Sequence, residues 1–331
     1  MLHGSLNGIF SFVEVFRCIN YLLGLSTSCP TLETWASPNN TTHFGFVPNT
    51  TPVQCHSHND YWHRNPLYDA LSAGCVGIEA DVWLFQNELF VGHNTNELTL
   101  NRTFRSLYVD PLLTLLNQLV VEESDKKLEC SLRGLFEGDH CQSLVLLVDY
   151  KNHGPSIHPF VKEQLSPLRE KSYLTYFNGT EVVRGPITVV ATGNAPFDLL
   201  TANSTHRDIF FDAPLARLYE DPSENIGQGV VGTTSTSHFD ITNSYYASTN
   251  FRKAIGTPWR GRFSEKQIQL LRGQVRGAKR RGLKPRYWGV PSWPVGLRNT
   301  VWETLIREGV DMLAGDDLMG MATGTWWDSE S

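Results

Sequence analysis

Two short stretches hold residues whose types and spacing suit chemistry. Cys55-His56-Ser57-His58-Asn59-Asp60-Tyr61 closes one apolar run, and Val76-Gly77-Ile78-Glu79-Ala80-Asp81-Val82-Trp83 forms the next. Glu79 and Asp81 are spaced i, i+2, so on a strand both carboxylates point to one face. Two like charges on an apolar strand call for a neutralising cation. Ligation by oxygen alone implies one hard divalent ion, Mg2+ or Ca2+, rather than zinc. A short hairpin over Glu88–Gly92 then delivers His93, and the run LVLLVDYK ends in Asp149 with Lys151 two positions on, again on one face. Taken singly, a strand-end histidine reads as a polar residue on the surface, an E-x-D pair as an exposed edge and an aspartate after an apolar run as a helix cap. Occurring in one order at successive strand ends, they point to a single site.

The elements that must position these residues are short β-type runs alternating with helix-type stretches. The strand candidates are Val53–His56, Val76–Leu84, Leu144–Tyr150, Ile187–Thr192, Asp208–Asp212, Val230–Thr234, Arg286–Val290 and Asp311–Gly315. Most are continuously apolar, as parallel strands covered on both faces are. Asn65 and Pro66 open a helix burying Leu67, Ala70 and Leu71 and stopping at Gly74. Ser264 opens another with Ile268, Leu271, Val275 and Ala278 on one face, and a third runs from Val295 to Glu308. About eight β/α alternations predict an α/β fold, a (β/α)8 TIM barrel, whose chemistry sits at the carboxyl ends of the strands. No G-x-G-x-x-G or G-x-x-x-x-G-K-[ST] run supports a nucleotide-binding alternative.

With 331 residues, 40% hydrophobic and 19% charged, the chain has the composition of a folded protein and not of a disordered one or a coiled coil. Its net charge of −6 argues against nucleic acid as a partner. The expected organisation is an N-terminal extension and linker over 1–50, the barrel over 51–322 and a tail over 323–331. Ile9 to Leu25 is apolar but carries Glu14 and Arg17, which is short and charged for a membrane span and poor for a signal peptide. Of six cysteines, Cys130 and Cys141 flank a polar loop and are the best pairing candidates, while Cys55 and Cys75 read as buried free thiols. Sequons at Asn39, Asn40, Asn49, Asn101, Asn178 and Asn203 tilt the reading toward a secretory or extracellular glycoprotein, with a mitochondrial or membrane-associated location as the alternative. The basic run Arg272, Arg276, Lys279, Arg280, Arg281, Lys284 suits the last turns of a helix better than a membrane surface. Asp316 and Asp317 either cap a helix or enter the site.

The set H-N, E-x-D, H and D resembles the phospholipase-C-like phosphodiesterase superfamily, which includes glycerophosphodiester phosphodiesterases, phosphoinositide phospholipases C and sphingomyelinases D. More closely, HSHNDYWHRNPLYDALSAGCVGIEADVWLFQNELFVGH, followed by LTLNRTFRSLYVDPLL, resembles the altered inheritance of mitochondria protein 6 family, from about Val53 to Leu318. The HRG…ENT pattern of typical glycerophosphodiesterases is absent, because Asn59-Asp60 stands in place of Arg-Gly. The resemblance implies a phosphoric diester hydrolase, or a cyclising enzyme of the same class, acting on a phospholipid or glycerophosphodiester. His58 and His93 are then the acid/base pair, with His56 ranked behind His58. Asn59, Glu79, Asp81 and Asp149 hold the cation, and Lys151 contacts the phosphate as in the D-x-K of the sphingomyelinases D. Trp288 and Trp293 either line the mouth and pack on a lipid or head group or serve as core and lid, and peripheral membrane contact is a further expected partnership. The competing expectation is a catalytically silent barrel that binds a phosphorylated head group as a scaffold.

Overall fold

The computed structural model describes residues 50–122, 133–221, 224–225, 232–234 and 236–327. Eight parallel strands close into a barrel: β1 (Val53–Ser57), β2 (Cys75–Phe85), β4 (Leu144–Tyr150), β5 (Ile187–Gly193), β6 (Ile209–Pro214), β7 (Ser244–Asn250), β8 (Lys284–Trp288) and β9 (Met312–Gly315). Each pairs with the next, and β1 pairs with both β2 and β9 to complete the ring. The short β3 (Glu88–Val91) returns antiparallel on the long end of β2 and sets the turn that leads to His93. The outer layer includes α1 (Tyr68–Ser72), α2 (Asp110–Glu122), α3 (Gly154–Gln164), α4 (Phe197–Thr201), α5 (Glu265–Lys279), α6 (Val295–Arg307) and α7 (Leu318–Ala322). The first five residues of β4 and of β5 are all buried, because the barrel interior covers one face and the helices the other. The α/β barrel expected from the alternation of elements is therefore the fold.

Local detail departs from the sequence reading in three places. The strand placed at Val230–Thr234 is not there: Val230 and Val231 lie outside the described residues, Gly232–Thr234 is turn and coil, and the strand is Ser244–Asn250. Its sequence, SYYASTN, is too polar to stand out, yet Tyr246 and Ala247 are fully buried within it. Helix α1 starts at Tyr68 rather than Pro66, since Leu67 takes a positive φ of 69° and gives its N–H to Asp60 Oδ2 at 2.7 Å. Helix α5 begins as expected, with Ser264 and Gln267 forming a reciprocal capping box. The tail is anchored as far as Trp326, which packs edge-on against Trp302 of α6 at 5.4 Å. Among the described residues no helix is long and apolar enough to cross a membrane.

The third departure is covalent. Cys55 and Cys75, read as free thiols, are joined in a disulfide with Cα atoms 4.6 Å apart. Both are fully buried, and the pairing of β1 with β2 brings them together. Cys141 is disulfide-bonded as well, while Cys130 lies outside the described residues. Closing a loop of sequence separation 20 restricts the unfolded chain, and the expected loss in the Cys55→Ala/Cys75→Ala variant is about 3 kcal/mol. Urea denaturation followed by circular dichroism measures it, and a loss below ~1 kcal/mol would mean that the bridge adds little to the packing around it.

Candidate active site

The register between β2 and β4 sets Asp81 directly opposite Asp149, so the two side chains share a face of the ladder. Glu79, two residues before Asp81, points the same way. Carboxylate oxygens of the three lie within 4.8 Å of one another. Gly193, opposite Tyr150 on β5, makes room for them: a Cβ there would stand 1.9 Å from Asp149 Oδ1, and its φ of +66° also suits glycine. Lys151 folds back over the cluster, with Nζ at 2.7 Å from Asp81 and 2.6 Å from Asp149. Across the barrel, Arg286 of β8 donates from Nη2 to Glu79 Oε2 at 3.1 Å, and Arg286 is 2% exposed.

Three carboxylates therefore face two cations, an excess of one negative charge when all are ionised. Burial, followed by the charges of Glu79 and Asp149, outweighs Lys151 and pushes Asp81 up to about 7. Asp81 Oδ1 is buried and accepts no hydrogen bond. An all-oxygen cluster with surplus charge and an orphaned acceptor fits a hard divalent cation. Asn59 stands beside it: its side-chain amide is 2.7 Å from the Tyr61 hydroxyl, which also lies 2.7 Å from Asp81 Oδ2.

His58 follows the last residue of β1, and its Nδ1 is 2.9 Å from Asp316 Oδ1 just beyond β9. Asn59 Nδ2 lies 2.9 Å from the same nitrogen, so Nδ1 is engaged from two sides and Nε2 is the ring atom left to exchange a proton. Burial opposes protonation of His58, but the charge of Glu79 and the bond to Asp316 together raise its pKa. His93 is arranged in a similar way, with Nδ1 at 3.3 Å from the Tyr61 hydroxyl and 3.6 Å from Asp81 Oδ2. Its ring packs on Trp62 at 5.0 Å between centroids. His56 is fully buried, and burial, then Arg286 and His58, holds its pKa well below the ordinary histidine range. It lines the inner barrel beside Tyr246 and Glu79.

The structure thus brings His58, Asn59, Glu79, Asp81, His93, Asp149 and Lys151 to one end of the barrel. Lys151 lies across the carboxylates rather than standing clear of them. Trp288, at the carboxyl end of β8, is 38% exposed. A cavity of ≈ 380 Å3 opens beside His58 and is lined by Gly289–Ser292, Arg298, Trp302 and Gly315–Asp317. Both sequence options for the aspartate pair are realised: Asp316 enters the site, while Asp317 accepts from Gly320 N to cap α7 and pairs with Arg298. Arg286 and Tyr61 went unassigned in the sequence reading. The signal for Arg286 was a cation inside a buried strand, which demands a counter-charge somewhere in the barrel.

A family model described as AIM6-like phosphodiesterase domain matches residues 45–212. The altered inheritance of mitochondria protein 6 homolog of Arthroderma benhamiae is 37% identical over 277 residues, 81% of this chain and 82% of its own. The altered inheritance of mitochondria protein 6 of Eremothecium gossypii is 34% identical over 278 residues, 82% of this chain and 69% of its own. That of Lachancea thermotolerans is 33% identical over 318 residues, 91% of this chain and 72% of its own.

Proposed function

The chain belongs to the altered inheritance of mitochondria protein 6 family, and on that premise we propose that it is a metal-dependent phosphodiesterase acting on a phospholipid or glycerophosphodiester. The observation that carries this reading is the register pairing of Asp81 with Asp149 beside Glu79, one strand away from a histidine already bonded to a carboxylate. A divalent cation held by Glu79, Asp81 and Asp149, with Asn59 beside them, supplies positive charge for the phosphate oxygens when bound. Asp316 and the Tyr61–Asp81 pair fix the Nδ1 sides of His58 and His93, so each histidine turns Nε2 to the substrate. One takes the proton of the attacking hydroxyl and the other returns one to the leaving oxygen. Lys151, shared between Asp81 and Asp149, is placed to turn its ammonium toward the phosphate. The cavity beside His58 accommodates the group attached to phosphorus. Attack by water gives hydrolysis, and attack by an adjacent substrate hydroxyl gives a cyclic phosphate through the same residues.

One observation favours the scaffold reading: Lys151 and Arg286 offset two of the three negative charges of the cluster. The two readings part in a screen of phosphodiester lipids with Mg2+ or Ca2+. The enzymatic reading expects turnover that chelator abolishes and that Glu79→Gln reduces at least about 100-fold. Head-group binding without turnover across the screen, or turnover untouched by chelator, would overturn it. The buried Cys55–Cys75 bridge, the bonded Cys141 and the exposed sequon residues Asn101, Asn178 and Asn203 support maturation in an oxidising, secretory compartment. The curated relatives are named for mitochondrial inheritance, which leaves the mitochondrial alternative open to localisation experiments.

A further inference from the structure

Trp259 and Trp293 are 78% and 76% exposed, more than any other described tryptophan. They lie in loops leaving the carboxyl ends of β7 and β8, two neighbouring strands whose last residues, Asn250 and Trp288, are paired. Both loops therefore rise on the face of the barrel that carries His58 and the carboxylates. Two large indole rings left in water on loops at one end of the barrel mark an interaction surface.

The charge around them is equally one-sided. The segment after β7, FRKAIGTPWRGRFS over residues 251–264, carries Arg252, Lys253, Arg260 and Arg262 and no acidic residue, in a chain of net charge −6. All four cations are exposed, and Arg260 lies over the Trp259 ring at 5.7 Å. The loop after β8, GVPSWP over 289–294, has no charged residue at all. The basic run on α5 differs, because Arg272 pairs with Glu308 and Lys279 with Asp311. Tryptophan between a polar surface and an apolar interior, with arginines at the same level, is the composition of a membrane-interface anchor. Four exposed cations with no acidic residue within their segment complement an anionic surface.

We propose that the loops after β7 and β8 seat the barrel mouth on an anionic lipid bilayer, with Trp259 and Trp293 entering the head-group layer. The consequence for substrate, that the phosphodiester is drawn from the membrane, rests on the enzymatic reading above, whereas the docking stands on the loops alone. In co-sedimentation with vesicles of phosphatidylcholine, with or without phosphatidylserine, the wild-type chain should pellet with the serine lipid and be released by salt. Trp259→Ala/Trp293→Ala should weaken that partition at least about tenfold, and Arg260→Gln/Arg262→Gln about 30-fold. Circular dichroism confirms that both variants are folded. Turnover of a soluble short-chain phosphodiester should be unchanged in the arginine variant. Absence of that turnover in the wild type would remove the enzyme and leave the sedimentation result intact. Wild type that stays in the supernatant, equal pelleting with phosphatidylcholine alone, or a tryptophan variant that pellets like wild type would each overturn the docking.

Discussion

Replacing His58 by alanine should lower the kcat of phosphodiester turnover about 10³-fold. The size follows from what the side chain does in the geometry. Its Nδ1 is held at 2.9 Å by Asp316 and at the same distance by the Asn59 side-chain amide, so the ring is oriented before substrate arrives. Losing that group removes proton transfer at one end of the reaction, a difference of about 4 kcal/mol in barrier. Asp316→Asn should fall between the two, since the ring remains and loses one of the two groups that orient it. Calorimetric titration with Mg2+ or Ca2+ provides the control, because Glu79, Asp81 and Asp149 are untouched and cation affinity should stay near that of the wild type. A His58→Ala enzyme within tenfold of wild type would exclude the acid/base role. A variant that loses cation binding along with turnover would mean that His58 acts by holding the cluster together.

Much of this arrangement was legible because parallel barrels write their strands as unbroken apolar runs. LVLLVDY and ITVVATG need no context to be recognised. The E-x-D pair was legible because a strand period of two fixes its common face. What local pattern could not reveal was register. That Asp81 stands opposite Asp149 depends on how far β4 slides along β2, and nothing within either strand states it. The Cys55–Cys75 bridge was misread for the same reason: each cysteine sits in an apolar run that suits a buried thiol, and only the adjacency of β1 and β2 makes them partners. Strand β7 failed on composition. SYYASTN has only tyrosine and alanine as its buried apolar residues and places polar residues around them, so the apolar pair at Val230–Val231 looked the better strand. Asp316 and Arg286 act on partners 258 and 207 residues away, beyond the reach of any spacing argument.

Arg286 carries the larger stability effect. It is 2% exposed, its Nη2 bonds Glu79 at 3.1 Å, and its Nε finds no partner. Methionine at this position fills much of the same volume but leaves Glu79 buried beside Asp81 and Asp149 with its counter-charge gone. Breaking a buried pair from one side costs about 3–5 kcal/mol, so Arg286→Met should lower the melting temperature by roughly 10 °C in chelator. Asp212, pushed up to about 6 by burial and held down in part by Arg286, loses the same support. Two additions separate charge from packing. A divalent cation should restore part of the loss, since it returns positive charge to the cluster, and the gain should exceed the one seen in wild type. Glu79→Gln in the Arg286→Met background should recover stability too, because a neutral amide no longer needs the guanidinium. If the double variant is as unstable as Arg286→Met alone, and the cation gives it nothing further, the defect is a badly filled barrel interior. Recovery in both cases would make Arg286 the fixed counter-ion that allows three carboxylates to share one end of the barrel.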